Sequence, residues 1–246
     1  MELFRTTFVA AASRRARTRS YGDRGGWVQA LIAAAALLAV STASFFTTAV
    51  AAQAQDRPVK LVVFGDSLSA GLGLPANETF PAKLASALKA KGLVVDIADA
   101  GVSGDTTSGG LGRLEWSVPD GTDGVIVELG ANDALRGVDP KITRAALDQI
   151  LRRLRDRGME VLLAGMKAPR NLGEGYARGF DAIYPELARA HGVLLYPFFL
   201  DGVVTDAKLN QRDGLHPNAQ GVDVIVGRIL PKVEELVTRV RAKSRS

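Results

Sequence analysis

The sequence predicts an α/β fold in which a parallel sheet carries helices on both faces. Five short runs of apolar and β-branched residues alternate with longer segments of helical periodicity, and this alternation is typical of right-handed βαβ units. The chain has 246 residues, which is enough for one such domain and an N-terminal leader. The predicted strands cover residues 59–64, 93–98, 125–129, 161–164 and 193–196.

A loop over residues 72–79 and a helix are predicted between the first two strands. Residues 78–91 place Phe80, Leu84 and Leu88 on one face, and Gly92 ends the pattern. We expect this apolar face to pack against the sheet.

The later connections predict three more helices. They cover residues 141–157, 179–190 and 222–240, and Pro231 is expected to interrupt the last of them. The predicted inward-facing residues of the helix over 141–157 are Ile142, Ala146, Ile150 and Leu154.

Residues 1–54 have the composition of a secretory signal peptide. An arginine-rich segment precedes the apolar run 30–40, and small residues at alternate positions follow it. These are the three parts of such a signal. We therefore expect residues 1–54 to be a leader and residues 55–246 to form the folded, periplasmic or secreted domain. The candidate cleavage points follow Ala51, Ala52 and Ala54.

An uncleaved membrane anchor is the competing interpretation of the leader. Residues 28–52 are long enough to span a bilayer. Serine and threonine residues fill the second half of this segment, however, and make it a poor membrane core. We expect no stable membrane span once the leader is removed.

Charge and cysteine content exclude several classes of function. The net charge of +5 is concentrated in the leader, since residues 1–54 hold six of the 31 basic residues but only two of the 26 acidic ones. The remaining domain is close to neutral, so nucleic acid is not an expected partner. The absence of cysteine excludes disulfides, thiolate metal sites and a cysteine nucleophile. No metal or other cofactor is expected.

A serine follows directly on the first predicted strand, in Gly65-Asp66-Ser67. The carboxyl ends of parallel strands are where open α/β folds bind their ligands, and Gly65 permits a sharp turn there. Ser67 is therefore the candidate nucleophile. The alternative is that Asp66 and Ser67 only cap the helix that follows.

The loops after the second and third predicted strands offer candidate oxyanion donors. Gly104 lies in a loop of small residues, 99–110, whose backbone N–H groups are free of bulky side chains. Asn132 follows the third strand, where its side-chain amide can donate to a developing negative charge. The alternatives are a flexible loop at Gly104 and an ordinary turn at Asn132.

Only two histidines are available as a general base. His191 precedes a glycine in the last turn of a predicted helix, a position that favours a capping role. His216 lies in a loop before the last helix, three residues after Asp213. On a turn, Asp213 can accept one imidazole N–H and leave the other ring nitrogen facing Ser67. The alternative is that Asp213 is merely a turn residue.

Together these four loops resemble those of the SGNH (GDSL) hydrolase family. The similarity extends over residues 59–240 and is greatest to the bacterial periplasmic branch with thioesterase I, arylesterase and lysophospholipase activity. The matching blocks, in the order of the family, are Gly65-Asp66-Ser67, Gly104 in Ser-Gly-Asp-Thr, Asn132 in Gly-Ala-Asn-Asp, and Asp213-Gly-Leu-His216-Pro.

The resemblance implies a flavodoxin-like, three-layer α/β/α sandwich with a five-stranded parallel sheet. It also implies roles for the site residues. Ser67 is the nucleophile and first oxyanion donor, the Gly104 N–H and the Asn132 amide are the other donors, His216 is the base, and Asp213 orients it. Residues 168–176 resemble a mobile loop that covers acyl chains in the family.

The expected function is hydrolysis of small-molecule carboxylic esters or thioesters, including aryl esters and lysophospholipids, through an acyl-enzyme on Ser67. Three alternatives remain at this point. The first is a carbohydrate O-acetyl esterase, because the same site can run that reaction. The second is a secreted binding protein that has these residues but no catalytic activity. The third is an anion-binding protein that uses the loop 103–110.

Overall fold

A parallel sheet of five strands forms the centre of residues 57–245, the part of the chain that the computed structural model describes. The strands are β1 Val59–Gly65, β2 Val95–Gly101, β3 Gly124–Glu128, β4 Glu160–Ala164 and β5 Leu194–Tyr196. Their order in the sheet is β2-β1-β3-β4-β5, and every neighbouring pair is parallel. The predicted fold class is confirmed.

Helices cover the sheet in two groups. The helices are α1 Ser67–Ala70, α2 Phe80–Ala90, α3 Thr107–Ser117, α4 Ala131–Leu135, α5 Pro140–Asp156, α6 Glu174–Asp181, α7 Ile183–His191 and α8 Ala219–Lys243. In one group α2 and α8 pack on each other. In the other group α5 contacts both α3 and α7.

The strand order creates a switch point between β1 and β3. The chain leaves β1 for β2 on one side and then crosses to β3 on the other. Gly65 and Glu128, the last residues of β1 and β3, are partners in the parallel register. The segments that follow these two strands therefore leave the sheet at the same edge, where α/β folds place their ligands.

The edge strand β2 lies later in the chain than predicted. It begins at Val95 and continues to Gly101, into a segment expected to be loop. Pairing explains the extension, since Asp99 to Gly101 lie opposite Val63 to Gly65 of β1. The carboxyl end of β2 is therefore level with the end of β1.

The helix predicted over 179–190 is two helices, α6 and α7. Because Pro185 has no N–H to donate to the carbonyl of Asp181, the helix breaks at that point, and Ala182 separates the two parts. The first helix begins at Glu174, so the end of the segment predicted as a mobile loop is helical.

Helix α5 shows that the inward position predicted for Ile142 is wrong. The Ile142 side chain is 52% exposed, whereas Ala146, Ile150 and Leu154 are buried as predicted. The neighbouring Thr143 faces inward instead, because its hydroxyl donates a 3.0 Å hydrogen bond to a buried carboxylate, that of Asp133.

The last helix, α8, is continuous through Pro231, so the predicted interruption is also wrong. Pro231 lies on the exposed face, where the carbonyl of Gly227 loses one helical hydrogen bond next to solvent. On the opposite face Ile229 and Val233 are fully buried and hold the helix against the sheet.

The expected leader, residues 1–54, lies outside the described residues. Within residues 57–245, no helix combines the length and the apolar character that crossing a bilayer requires.

Candidate active site

Three side chains from opposite ends of the domain form a hydrogen-bonded chain at the carboxyl edge of the sheet. Ser67 is the first residue of α1, directly after β1, and its Oγ lies 2.9 Å from Nε2 of His216. Nδ1 of the same imidazole lies 2.6 Å from Oδ2 of Asp213. The structure therefore brings together the predicted nucleophile, base and orienting carboxylate.

The loop before α8 fixes the carboxylate that faces the imidazole. Oδ1 of Asp213 accepts hydrogen bonds from the backbone N–H groups of Leu215 at 2.9 Å and His216 at 3.0 Å. These bonds, led by that of Leu215, and the bond from the imidazole lower the pKa of Asp213 to about 2. An ionised Asp213 can accept a hydrogen bond from the Nδ1–H group, an arrangement in which Nε2 is the ring nitrogen that accepts a hydrogen bond from the hydroxyl of Ser67.

The serine is held in a short capped turn. Oδ1 of Asp66 accepts the N–H of Leu68 at 3.0 Å, so the capping role considered for Asp66 is present together with the contact of Ser67 to the imidazole. Gly65 is required here. A Cβ at this position would lie 2.2 Å from Oγ of Ser69 and 2.6 Å from the carbonyl oxygen of Glu128.

Asn132, one candidate oxyanion donor, lies beside the serine. It is the second residue of α4, which follows β3 across the switch point, and it lines the same cavity as Ser67 and His216. Its Nδ2 donates to Oδ2 of Asp66 at 3.2 Å. The side-chain amide is therefore tied to the turn that carries Ser67.

Gly104, the other candidate donor, occupies a turn after β2 with φ of +86°, a conformation that favours glycine. Its carbonyl accepts a 2.9 Å hydrogen bond from Arg136, the C-cap residue that follows α4. Within residues 57–245, its N–H has no protein partner. Gly104 is not among the residues that line the cavity, so the structure links it to α4 rather than placing it in the cavity wall.

Three buried carboxyl groups lie behind the site, and their importance is not evident from the sequence. Burial raises the pKa of Asp66 to about 6 and, together with the charge of Asp66, raises the pKa of Glu128. Oε2 of Glu128 accepts the hydroxyl of Ser69 at 2.8 Å. The third, Asp133, accepts hydrogen bonds from Thr107 and Thr143. A single glutamate in an otherwise apolar strand is the available sequence signal for Glu128.

A cavity of about 680 Å³ opens beside Ser67 and His216. Most of its wall is apolar, and Lys167 and Arg170 contribute the charged part. A wall of this kind suits an acyl or aryl group better than a polar ligand. The apolar lining residues are Leu68, Ala131, Ala134, Leu135, Met166, Ala168, Pro169, Phe198, Leu200, Val204 and Leu215.

The second histidine, His191, takes no part in this arrangement. Its Nε2 lies 2.7 Å from Oδ1 of Asp148 on α5, and this contact lowers the pKa of Asp148. Within residues 57–245, no three histidine or carboxylate side chains are grouped as a metal ion requires.

A parallel α/β sandwich whose carboxyl edge joins serine, histidine and aspartate defines the protein class as the serine hydrolases. The chain belongs to the GDSL-like lipase/acylhydrolase family, whose family model matches residues 63–224.

Characterised relatives share most of this domain. The chain is 40% identical to an arylesterase of Vibrio mimicus, over 74% of this chain and 90% of the relative. It is 39% identical to thioesterase 1/protease 1/lysophospholipase L1 of Escherichia coli K12, over 72% and 84%. The crystal structure of AlinE4, an SGNH-hydrolase family esterase, matches with a TM-score of 0.62 and 45% identity, over 73% of this chain and 96% of that one.

Proposed function

We propose that this protein hydrolyses carboxylic esters and thioesters through an acyl-enzyme on Ser67. The observation that carries the proposal is the unbroken hydrogen-bonded chain from Ser67 through His216 to Asp213, at the mouth of an apolar cavity. A hydroxyl becomes a nucleophile when an oriented base takes its proton, and this geometry suits that transfer.

The reaction proceeds in two halves. Ser67 Oγ attacks the substrate carbonyl carbon while Nε2 of His216 takes the hydroxyl proton. The resulting oxyanion accepts hydrogen bonds from the N–H of Ser67, the N–H of Gly104 and the amide of Asn132. Collapse breaks the bond to the alcohol or thiol, which leaves with the proton from His216. Water then attacks the acyl-enzyme by the same route and releases the carboxylic acid.

The cavity supports a substrate with a sizeable acyl or aryl group. Its volume and apolar wall exceed what an acetyl group needs, so the carbohydrate O-acetyl esterase alternative is less well supported. The named activities of the two relatives, arylesterase, thioesterase and lysophospholipase, share acyl transfer to water. Ala168, Pro169 and Arg170 line the cavity, which supports an acyl-covering role for the segment 168–176.

Hydrolysis of p-nitrophenyl esters from acetate to palmitate tests the proposal. A protein starting at Gln55 should turn over these esters, and Ser67→Ala or His216→Ala should lower turnover by more than about 1,000-fold, because triad members act as a unit. His191→Ala is the matched control and should retain full activity. Near wild-type turnover in either of the first two variants would overturn the assignment.

We infer from its composition that the leader, residues 1–54, directs the protein to the periplasm or outside the cell. Expression of the full chain in a bacterial host, with mass spectrometry of the periplasmic fraction, tests this. A mature protein beginning at Ala52, Gln53 or Gln55 is expected. Recovery of the uncleaved chain in the membrane fraction would indicate an anchor instead.

A further inference from the structure

Arg113 is a buried arginine that points from α3 toward the ends of β1 and β2. Its side chain is 7% exposed. Nε donates to Oδ2 of Asp105 at 2.5 Å, and Nη1 donates to the carbonyl of Ala100 at 2.8 Å. Nη2 donates to the carbonyl of Gly65 at 2.8 Å. Each of the three guanidinium nitrogens is therefore bonded to a different part of the chain.

The three acceptors belong to the segments that build the site. Gly65 ends β1, two residues before Ser67, and Ala100 is near the end of β2. Asp105 follows Gly104 directly. One planar guanidinium thus joins the strand that carries the nucleophile, the neighbouring strand and the loop of the oxyanion donor.

The way Arg113 is held fixes its plane as well as its position. The guanidinium lies 4.4 Å from the ring centre of Phe64, and Nη1 also donates to Oγ of Ser117 at 3.1 Å. A buried charge is costly unless it is fully paired, and apolar side chains fill such a space at less cost. The planar guanidinium meets acceptors in three directions at once, which an apolar side chain of similar size cannot do.

We propose that Arg113 is a positioning residue of the hydrolytic reaction, which holds the Gly104 N–H at a fixed place relative to Ser67. The inference rests on the proposed function, since it assigns Arg113 to that same site. Arg113 itself does not line the cavity and acts through Asp105 and the Gly65 carbonyl.

Arg113→Lys is the test variant, because it keeps the positive charge and loses the planar fork. Its kcat should fall by about ten- to a hundredfold, as expected for a small displacement of a catalytic donor. Its KM should stay within about threefold, because ground-state binding is untouched. Turnover is measured far below the melting temperature of each variant, so that loss of folded protein does not contribute.

Arg157→Lys is the matched control. Arg157 is also largely buried and bonds the carbonyl of Val118 at 2.6 Å and Asp120 at 2.9 Å, in the segment before β3 and so at the opposite edge of the sheet. It should lower the melting temperature and leave kcat unchanged. A boronic acid, which forms a tetrahedral anionic adduct on serine, should bind Arg113→Lys more weakly, whereas binding of the carboxylic acid product should not change.

Asp105→Asn provides a second variant if Arg113→Lys does not fold, since it leaves the two bonds from Arg113 to the strands in place. It too should lower kcat at an unchanged KM. Wild-type protein without turnover of any ester overturns the proposed function. An active wild type, with kcat in the folded Arg113 or Asp105 variant equal to that of Arg157→Lys, overturns this inference alone.

Discussion

Gly65 is the residue on which the turn that carries Ser67 depends most directly. A Cβ there would enter the space of Oγ of Ser69 and of both the carbonyl and Oε2 of Glu128. We expect Gly65→Ala to cost about 1–3 kcal/mol of unfolding free energy, as overpacked buried sites do. Turnover should fall as well, because Ser67 lies only two residues further along the same turn. Urea unfolding and ester hydrolysis measure the two effects.

Gly112→Ala is the control for this substitution. Gly112 lies inside α3 with ordinary helical backbone, and a Cβ there would enter open space. The variant should gain about 0.5–1 kcal/mol, because alanine is the better helix former. Equal stability of Gly65→Ala and the wild type would show that the turn is looser than its contacts indicate.

The buried carboxyl of Asp66 gives the protein a specific dependence of stability on pH. Its pKa in the folded state, about 6, is above the ordinary value of an aspartate, so folding favours the protonated form. Stability should therefore decrease as the pH rises from about 4 to about 6. Asp66→Asn removes this titration. We expect the variant to gain on the order of 3 kcal/mol relative to the wild type between pH 4 and pH 7.

Urea unfolding of both proteins at pH 4 and pH 7 checks this expectation. Asp213 does not obscure it. Its pKa is lowered to about 2, so its stabilising effect is present above the ordinary aspartate pKa and is lost as the pH falls from about 4 to about 2, in both proteins alike. The pKa of Glu128 is also raised, first by burial and then by the charge of Asp66, so Asp66→Asn removes that second contribution and the difference between the two proteins includes this coupling. An identical pH dependence for the two proteins would mean that Asp66 is ionised throughout.

Among the secondary-structure elements, α8 contains an interior proline that lowers its stability. Pro231 lies in its interior and leaves the carbonyl of Gly227 without a helical donor. We expect Pro231→Ala to raise the unfolding free energy by about 1–3 kcal/mol, since the lost hydrogen bond and helix propensity are both restored. The melting temperature measures the change.

Pro140→Ala is the matched control at the first position of α5. Proline is favourable there, because the first N–H of a helix has no helical acceptor. This variant should be no more stable than the wild type. A Pro231→Ala variant that behaves in the same way would show that solvent fully compensates the carbonyl of Gly227.

The strands illustrate how far sequence predicts the elements. The central strands β1, β3 and β4 are buried on both faces, so their apolar runs locate them within about one residue. The edge strand β2 alternates between half-buried and exposed positions, and its end does not follow from the sequence because pairing with β1 determines it. The break between α6 and α7 does have a local signal, Pro185, which the apolar periodicity of the segment obscures.

The site residues also fall into two groups, those that local sequence patterns predict and those that only the tertiary fold reveals. Ser67, Asn132, His216 and Asp213 follow strand ends or lie in one short loop, where local pattern and family resemblance predict them as site residues. Arg113 looks like an ordinary surface residue of a helix, and its acceptor Gly65 is 48 positions away in the chain. Contacts of that kind come from the tertiary fold and have no local signal.

At the scale of the whole molecule, we expect the domain to begin close to β1. The first contact of the described chain is the ion pair of Arg57 with Asp123, which is partly exposed and contributes at most about 1 kcal/mol. A protein starting at Gln55 should therefore fold and hydrolyse esters. A protein starting at Val63 should not fold, because β1 pairs with both β2 and β3 along its length.

Circular dichroism and ester turnover of the two shortened proteins make the comparison. The protein starting at Gln55 should show one cooperative thermal transition. A folded, active protein that starts at Val63 would contradict the central role of β1.

The distance along the chain between Ser67 and His216 has a consequence for biosynthesis. The two residues are separated by 149 positions, and only Pro217 and Asn218 lie between the histidine and the final helix, α8. Asp213 and His216 share one loop, so a single long-range contact completes the relay. On the proposed mechanism, the serine emerges with the first strand during translation and lacks its base until almost the entire domain has been synthesised. A partly synthesised chain is then expected to be inactive toward the esters around it.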